Sequence, residues 1–491
     1  MKRKANNEQE RYAHSGVRLT ALDSETGSAT ISLTGLLSMG ASEMTSMWQF
    51  NYKLNPEFFM RCVPESAKKA RTTFVVHRSP ELAKLRNEFN FVFPSVEQFG
   101  THHSKMMVLF YKDSTAHVVI HTANLIERDW GKKSQMAWVS SLLRKKTGEG
   151  ATGPNRAFES DLMEYLNSYG KDLADLRSQL KEYDFSHEVG MIVASVPGRH
   201  KSSGSSGNSI NRWGYRRLGD LLKKDVHLSE VMKKESTLIF QYSSVGSLGK
   251  DDSWLMKDFA KTLNNSSNTM NSPFSMQQPI KVALVFPTVA QVQSSLQGWS
   301  AGNSIPFSNE NWERQKSYMR PLLKSWIAKD AERANAMPHV KTFSRINEST
   351  REIAWMLVTS HNLSKAAWGS LELKGTQLFI RSYEIGVLLT PSYFKVVIVK
   401  YHLFTSLIGI IPQAFKHQNA IMEAVSAKYL RETSLISPQE LKEDRTVTDI
   451  VVPICMPFDL PLTPYRSDDE PWRWDVAFKG LDSQGLERTL S

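Results

Sequence analysis

Cysteine is nearly missing from this chain: Cys62 and Cys455 are the only two in 491 residues. That excludes a disulfide framework and a zinc site built on thiolates. The scarcity points to a reducing compartment. Long apolar runs are missing too. The longest, "KVVIVKYHLFTSLIGIIP" from Lys395 to Pro412, is interrupted by Lys400 and His402. Neither piece reaches the ~20 residues that a membrane-crossing helix needs, so no membrane segment is expected. The opening "MKRKANNEQERYAHSG" has no apolar stretch behind it, and no secretory signal is expected either. Negative charge is in short supply: 61 Lys+Arg against 50 Asp+Glu leave a net charge of +11. With a pI near 9.3, the balance favours a polyanionic partner, either nucleic acid or an anionic membrane.

The rest of the composition is that of an ordinary globular protein, 41% hydrophobic and 23% charged, long enough for two or three domains. Residues 1–31 are polar and aperiodic and predict a mobile tail. From "SLTGLLSMG" onward, apolar runs alternate with helix-like segments, the pattern of an α/β layered fold. "TTFVVH" and "FNFVFP" read as short strands. "DLMEYLNSYGKDLADLRSQLKEYD" has helical spacing broken near Gly170. "VGMIVASVPGR" reads as a strand ending in a turn at Pro197-Gly198, and the Ser/Gly-rich "KSSGSSGNS" follows as a flexible connection. The division between two halves is placed there, giving 32–198 and 199–491. A second polar loop, "NNSSNTMNS" from Asn264 to Ser272, lies inside the second half.

Two stretches carry the chemistry. "FGTHHSKMMVLFYKDSTAHVVIHTAN", Phe99 to Asn124, sets His103 and Lys105 two residues apart at the start of an apolar strand. Alternate strand residues share a face, so the pair projects together. A turn around "KDST" would return Asn124 to the level of His103. "MPHVKTFSRINESTREIAWMLVTSHN", Met337 to Asn362, repeats the order with His339, Lys341 and Asn362 around a turn at "NEST". One imidazole, one ammonium and one amide make a poor set for a divalent metal, because the cation repels it and no carboxylate is in the cluster. They suit a phosphate, which Lys and Asn can hold while histidine attacks phosphorus or moves protons. A single His-x-Lys on a strand is commonplace. Two copies in matching order and context, one histidine for each face of an in-line displacement, predict a phosphoryl-transfer site needing no metal or other cofactor.

The paired pattern resembles the signature of the phospholipase D superfamily. Longer segments, "FGTHHSKMM", "VVIHTANLIERDW", "QYSSVGSLG", "NAMPHVKTF" and "LVTSHNLSKAAWG", are similar to the eukaryotic tyrosyl-DNA phosphodiesterases. Those enzymes release topoisomerase I from DNA 3′ ends. Lipid-cleaving relatives carry an Asp five residues past the motif lysine, where this chain has Phe110 and Ile346. The resemblance implies two similar α/β halves, each a mixed sheet flanked by helices, with the site at a pseudo-twofold interface. It implies His103 as nucleophile, His339 as general acid and base, and Lys105, Lys341, Asn124 and Asn362 as phosphoryl ligands. Glu384 and Gln135 would orient the two histidines; Glu384 alone reads equally well as a solvated strand charge.

For DNA contact the resemblance implies Ser243, Ser244, Val245, Gly246 and Ser247, then Ser364 and Lys365. Phe99 would stack on a base, and Tyr52, Pro287 and Trp474 would lie near the groove. Implied partners are single- and double-stranded DNA 3′ ends carrying a tyrosyl or peptide adduct; other 3′-blocking adducts, a monomeric state, and a nuclear location with some cytoplasmic share follow likewise. The likeness lapses over about 393–454, read as an insertion or a gene-model artefact. The alternatives are a phospholipase D or metal-independent nuclease of the same superfamily, and a basic DNA-binding module with a vestigial site.

Overall fold

The computed structural model describes residues 10–12, 15–23, 30–85, 87–146, 156–201, 210–264, 279–394, 419–433 and 449–490. Its first sheet is built on β1 (Val17–Thr20), β2 (Met44–Asn51), β3 (Arg71–Val76), β4 (Asn90–Val92), β5 (Met106–Tyr111), β6 (Thr115–His121) and β7 (Met136–Val139). The second is built on β8 (Met191–Ser195), β9 (Thr237–Gln241), β10 (Val282–Val285), β11 (Leu323–Lys324), β12 (Thr342–Ile346), β13 (Glu352–Thr359) and β14 (Glu384–Leu389). Across the sheets the strands run β1-β7-β6-β5-β2-β3-β4 and β8-β14-β13-β12-β9-β10-β11. The two orders are the same. Directions match as well, with an antiparallel hairpin at each centre and parallel strands beyond it. One topology is folded twice.

Local chemistry explains the hairpins. β5 (MMVLFY) and β6 (TAHVVIH) are buried throughout, which suits near-continuous apolar strands covered on both faces. Met106, Val108 and Phe110 enter a core shared with the second sheet, while Met107, Leu109 and Tyr111 pack outward against Leu36 and Phe59. Asp113 Oδ1 closes the first turn by accepting from Thr115 N (3.2 Å) and Thr115 Oγ1 (2.7 Å). Asn347 does the same in the second, accepting from Ser349 N (3.0 Å) and Thr350 N (3.2 Å).

The structure corrects three expectations and places part of the segment about 393–454. Val17–Thr20, assigned to the polar tail, is a strand antiparallel to β7, its Val17 and Leu19 buried. Two inward-facing residues are too short a pattern to stand out in a polar stretch. The boundary near 198 is also displaced: β8 pairs with β14, and the strand Gly198–Lys201 pairs with Gln377–Ile380. Both therefore belong with the second half, because an apolar run does not say which sheet it joins. The region 393–454 contributes two parallel strands, Asn419–Val425 and Asp449–Cys455, to the second sheet; 395–418 and 434–448 lie outside the described residues. Finally, His103, Lys105, His339 and Lys341 sit just ahead of β5 and β12 rather than on them. The helical break at Gly170 is present, with φ +63° between the helices Arg156–Asn167 and Ala174–Leu180. The Ser/Gly-rich stretch 202–209 and most of the second polar loop, 265–272, lie outside the described residues.

Candidate active site

The leading ends of the two hairpins meet, and the backbone there crosses between halves in a matched way. His102 bridges Tyr383, the residue before Glu384; Pro338 bridges Ser134, the residue before Gln135. His103 N donates to Tyr383 O, and His339 N to Ser134 O, both at 3.0 Å. Each half thus supplies a histidine and receives its partner from the other half. His103 Nδ1 lies 2.9 Å from Glu384 Oε2, and His339 Nδ1 lies 3.0 Å from Gln135 Nε2. The partners are themselves held alike: Ser360 Oγ donates to Glu384 Oε2 at 2.5 Å, and Thr122 Oγ1 to Gln135 Oε1 at 2.7 Å. Thr122 and Ser360 each stand two residues before the motif asparagine.

The lysines are fully buried, and each curls back on its own motif. Lys105 Nζ donates to His103 O at 2.9 Å, and Lys341 Nζ donates to His339 O. The asparagine oxygens are taken up by backbone: Asn124 Oδ1 accepts from Lys53 N (3.4 Å), and Asn362 Oδ1 from Ser243 N (3.2 Å) and Ser244 N (3.0 Å). Those bonds leave each amide NH₂ available as a donor.

Burial first, then the ammonium groups of Lys105 and Lys341, hold the His103 imidazole well below its ordinary range. Burial likewise pushes His339 down to about 3, against the pull of a carboxylate, Asp129. Burial lowers Lys105 to about 8; it lowers Lys341 strongly too, helped by Lys105. Burial raises Glu384 to about 7, opposed by His361 and Lys105. A cluster of cations short of counter-charge is what an incoming phosphodiester would relieve. Among the described residues, no group of three His, Cys, Asp or Glu side chains is placed to hold a metal ion. No helix among them is long and apolar enough to cross a membrane.

A cleft of about 240 Å³ opens over this cluster, lined by both histidines, both asparagines, Glu384 and Tyr52 among others. The Tyr52 ring centroid is 5.5 Å from that of His103. Phe99 stands at its rim, 82% exposed and with φ +61°. Ser243, Ser244 and Ser364 line it too. Val245 is buried, Gly246 N bonds Leu363 O, and neither lines the cleft; Ser247 is exposed outside the lining. Lys365 and Trp474 also lie outside the lining. Pro287 is buried, its carbonyl accepting from the Trp472 backbone N–H at 3.1 Å, and it too lies outside the lining.

A family model described as tyrosyl-DNA phosphodiesterase matches residues 16–466. The chain belongs to the tyrosyl-DNA phosphodiesterase family. It is 32% identical over 488 residues to tyrosyl-DNA phosphodiesterase 1 of Arabidopsis thaliana, covering 95% of this chain and 75% of that one. It is 34% identical over 361 residues to a probable tyrosyl-DNA phosphodiesterase of Caenorhabditis elegans, covering 71% of this chain and 76% of that one. In fold it resembles the crystal structure of the yeast tyrosyl-DNA phosphodiesterase, with a TM-score of 0.64 at 20% identity over 93% of this chain and 98% of that one. Membership makes the chain a phosphoric diester hydrolase of the phospholipase D superfamily, and the cleft is where two copies of its hairpin converge.

Sequence reasoning missed Asp129. It is fully buried, its Oδ2 lying 3.1 Å from His339 Nδ1 and accepting from Asn124 N at 2.7 Å. Setting "ANLIERDW" against "HNLSKAAW" would have singled it out: the Asn, Leu and Trp of the two copies coincide, and Asp129 falls opposite Ala367.

Proposed function

We propose that this family member hydrolyses the phosphodiester between a topoisomerase I tyrosine and a DNA 3′ phosphate through a phosphohistidine intermediate. One observation carries the reading: two histidines face one cleft, each with Nδ1 engaged across the interface and Nε2 without a hydrogen bond among the described residues. The lone pair of His103 Nε2 attacks phosphorus as the bond to the tyrosine oxygen breaks, and His339 Nε2 passes its proton to that oxygen. Tyrosine has a pKa of ~10, so a positioned acid speeds its departure near neutral pH. Water then attacks the phosphohistidine and gives its proton to His339. The P–N electron pair returns to His103, leaving a 3′-phosphate. Lys105, Lys341 and the two asparagine amides donate to the phosphoryl oxygens as charge shifts onto them.

The cleft is open toward Phe99, which supports stacking of a base on that exposed ring and a sequence-tolerant grip on a single- or double-stranded 3′ end. An open rim also suits other 3′ adducts. The same reading carries action as a monomer, with a nuclear location and some cytoplasmic share. The test is a single-turnover reaction on a 3′-phosphotyrosyl oligonucleotide in EDTA, beside a phosphatidylcholine control. Wild type should yield a 3′-phosphate end, His103→Ala should be inactive, and His339→Asn should accumulate a protein–DNA adduct. An inert wild type, or indifference to both substitutions, overturns the reading.

A further inference from the structure

The two hairpins are near-copies, yet one histidine must attack while the other holds a proton. A matched geometry does not explain that division. Their immediate partners do not settle it either, since a carboxylate faces His103 and a neutral amide faces His339. A carboxylate next to an imidazole favours the protonated ring; by that contact alone the nucleophile would hold the proton. The asymmetry in the other direction lies at Asp129. Its Oδ2 is 3.1 Å from His339 Nδ1, whereas the position matching it in the second half is Ala367.

We propose that Asp129 is the positioning residue that makes His339 the acid, by accepting the Nδ1 proton across the interface and holding charge beside the ring. This inference rests on the acid–base role proposed above for His339. The hydrogen bonding is consistent. With Nδ1 protonated, that N–H donates to Asp129 Oδ2, and Gln135 turns its amide oxygen to the same proton and its NH₂ to Thr122 Oγ1. Thr122 Oγ1 then donates to Met136 O, 3.3 Å away. Nε2, the atom facing the cleft, is left to carry the transferable proton.

The groups around the pair pull in both directions. Lys341 and Lys105 face His339 and oppose its protonation. His339 and Lys133 hold the Asp129 carboxyl ionised although its burial opposes that; Lys133 Nζ donates at 2.5 Å to Ala301 O. His103 and His121 also feel the Asp129 charge, His121 from the end of β6. Among the described residues Asp129 Oδ1 is buried with no hydrogen-bond partner. A carboxylate kept merely to close the turn after β6 would need only the bond from Asn124 N. A bound phosphodiester adds negative charge to the cleft, so ligand and Asp129 act on His339 in the same direction.

Asp129→Asn preserves shape and an acceptor for Asn124 N while removing the charge. Two substrates are compared in single turnover: a 3′-phosphotyrosyl oligonucleotide, and the same oligonucleotide bearing 3′-nitrophenyl phosphate, whose leaving group needs little protonation. Release of tyrosine should slow by tenfold or more, a share of the ~10²–10⁴ that acid catalysis supplies. Nitrophenol release should change by less than about threefold, the ordinary reach of acid help having been removed from it. The alkaline limb of the tyrosine-release profile should move to lower pH. Equal slowing on both substrates with an unmoved profile would make Asp129 purely structural and overturn the inference. Activity of wild type on both substrates keeps that failure distinct from failure of the proposed function, which would appear as an inert wild type. If Asp129→Asn does not melt cooperatively, Asp129→Ala, which reproduces the residue of the other half, is read in the same way.

Discussion

Phe99 combines two costs that a merely structural phenylalanine would avoid. It exposes an aromatic ring to water and holds a backbone angle, φ +61°, that L-residues rarely adopt. The function proposed above gives the exposed ring a use, as a platform on which a terminal base stacks. Phe99→Ala should therefore weaken binding of a 3′-tailed oligonucleotide by ~1–3 kcal/mol, with little dependence on base identity. Fluorescence anisotropy across the four terminal bases tests it; unchanged affinity would return Phe99 to the surface. At this scale the sequence exposed the six motif residues because the same three types, His, Lys and Asn, appear twice in the same order. Asp129 escaped notice for the converse reason. It appears once, and its partner is a histidine that only folding brings near.

The element that positions Phe99 is the loop entering β5, and it is clamped to the second half. Thr101 N donates to Ser382 Oγ at 3.0 Å, Tyr383 N to Thr101 O at 3.0 Å, and Arg381 Nη1 to Gln98 O at 2.8 Å. Gly100 permits this approach: a Cβ there would fall 1.9 Å from Arg381 O. Gly100→Ala must push the two segments apart, and the loop is continuous with His103. We expect it to impair DNA binding and single-turnover rate together, where Phe99→Ala impairs binding alone. A normal rate at saturating oligonucleotide would show that the loop and the histidine move independently. The hairpins themselves were legible from "KDST" and "NEST", since Asp113 and Asn347 close their turns by local bonds. The sheet membership of β8 was not, because Val193 and its neighbours are buried whichever sheet they join.

Across the whole molecule, the site's burial couples its protonation to stability. Burial lowers His102 and His121 from 6.5 to about 3, and His361 to about 4. Between pH ~6.5 and ~4.5 these three bind protons only when the chain is unfolded, so their contribution is lost as pH falls. Glu188 and Glu384, raised from 4.5 to about 7, do the opposite and bind protons only when folded. Three outweigh two, the unfolded chain binds more protons, and stability falls with acidification through this window. Thermal melts of the DNA-free protein at about pH 6.5, 5.5 and 4.5 at constant ionic strength should show a declining Tm. A flat or rising Tm would mean that the buried histidines are protonated in the fold.

By itself the sequence determined the reaction class, the six repeated motif residues and the α/β character, because side-chain chemistry, strand alternation and turn closure act over a few residues. The tertiary structure alone decided that a second carboxylate, Asp129, meets His339. It joined the strand Val17–Thr20 to the first sheet and β8 to the second, and it buried Pro287 while leaving Phe99 exposed. The physical reason is distance along the chain: Glu384 is 281 residues from His103 and Gln135 is 204 from His339. Only the meeting of the two sheets brings those pairs within reach of a hydrogen bond.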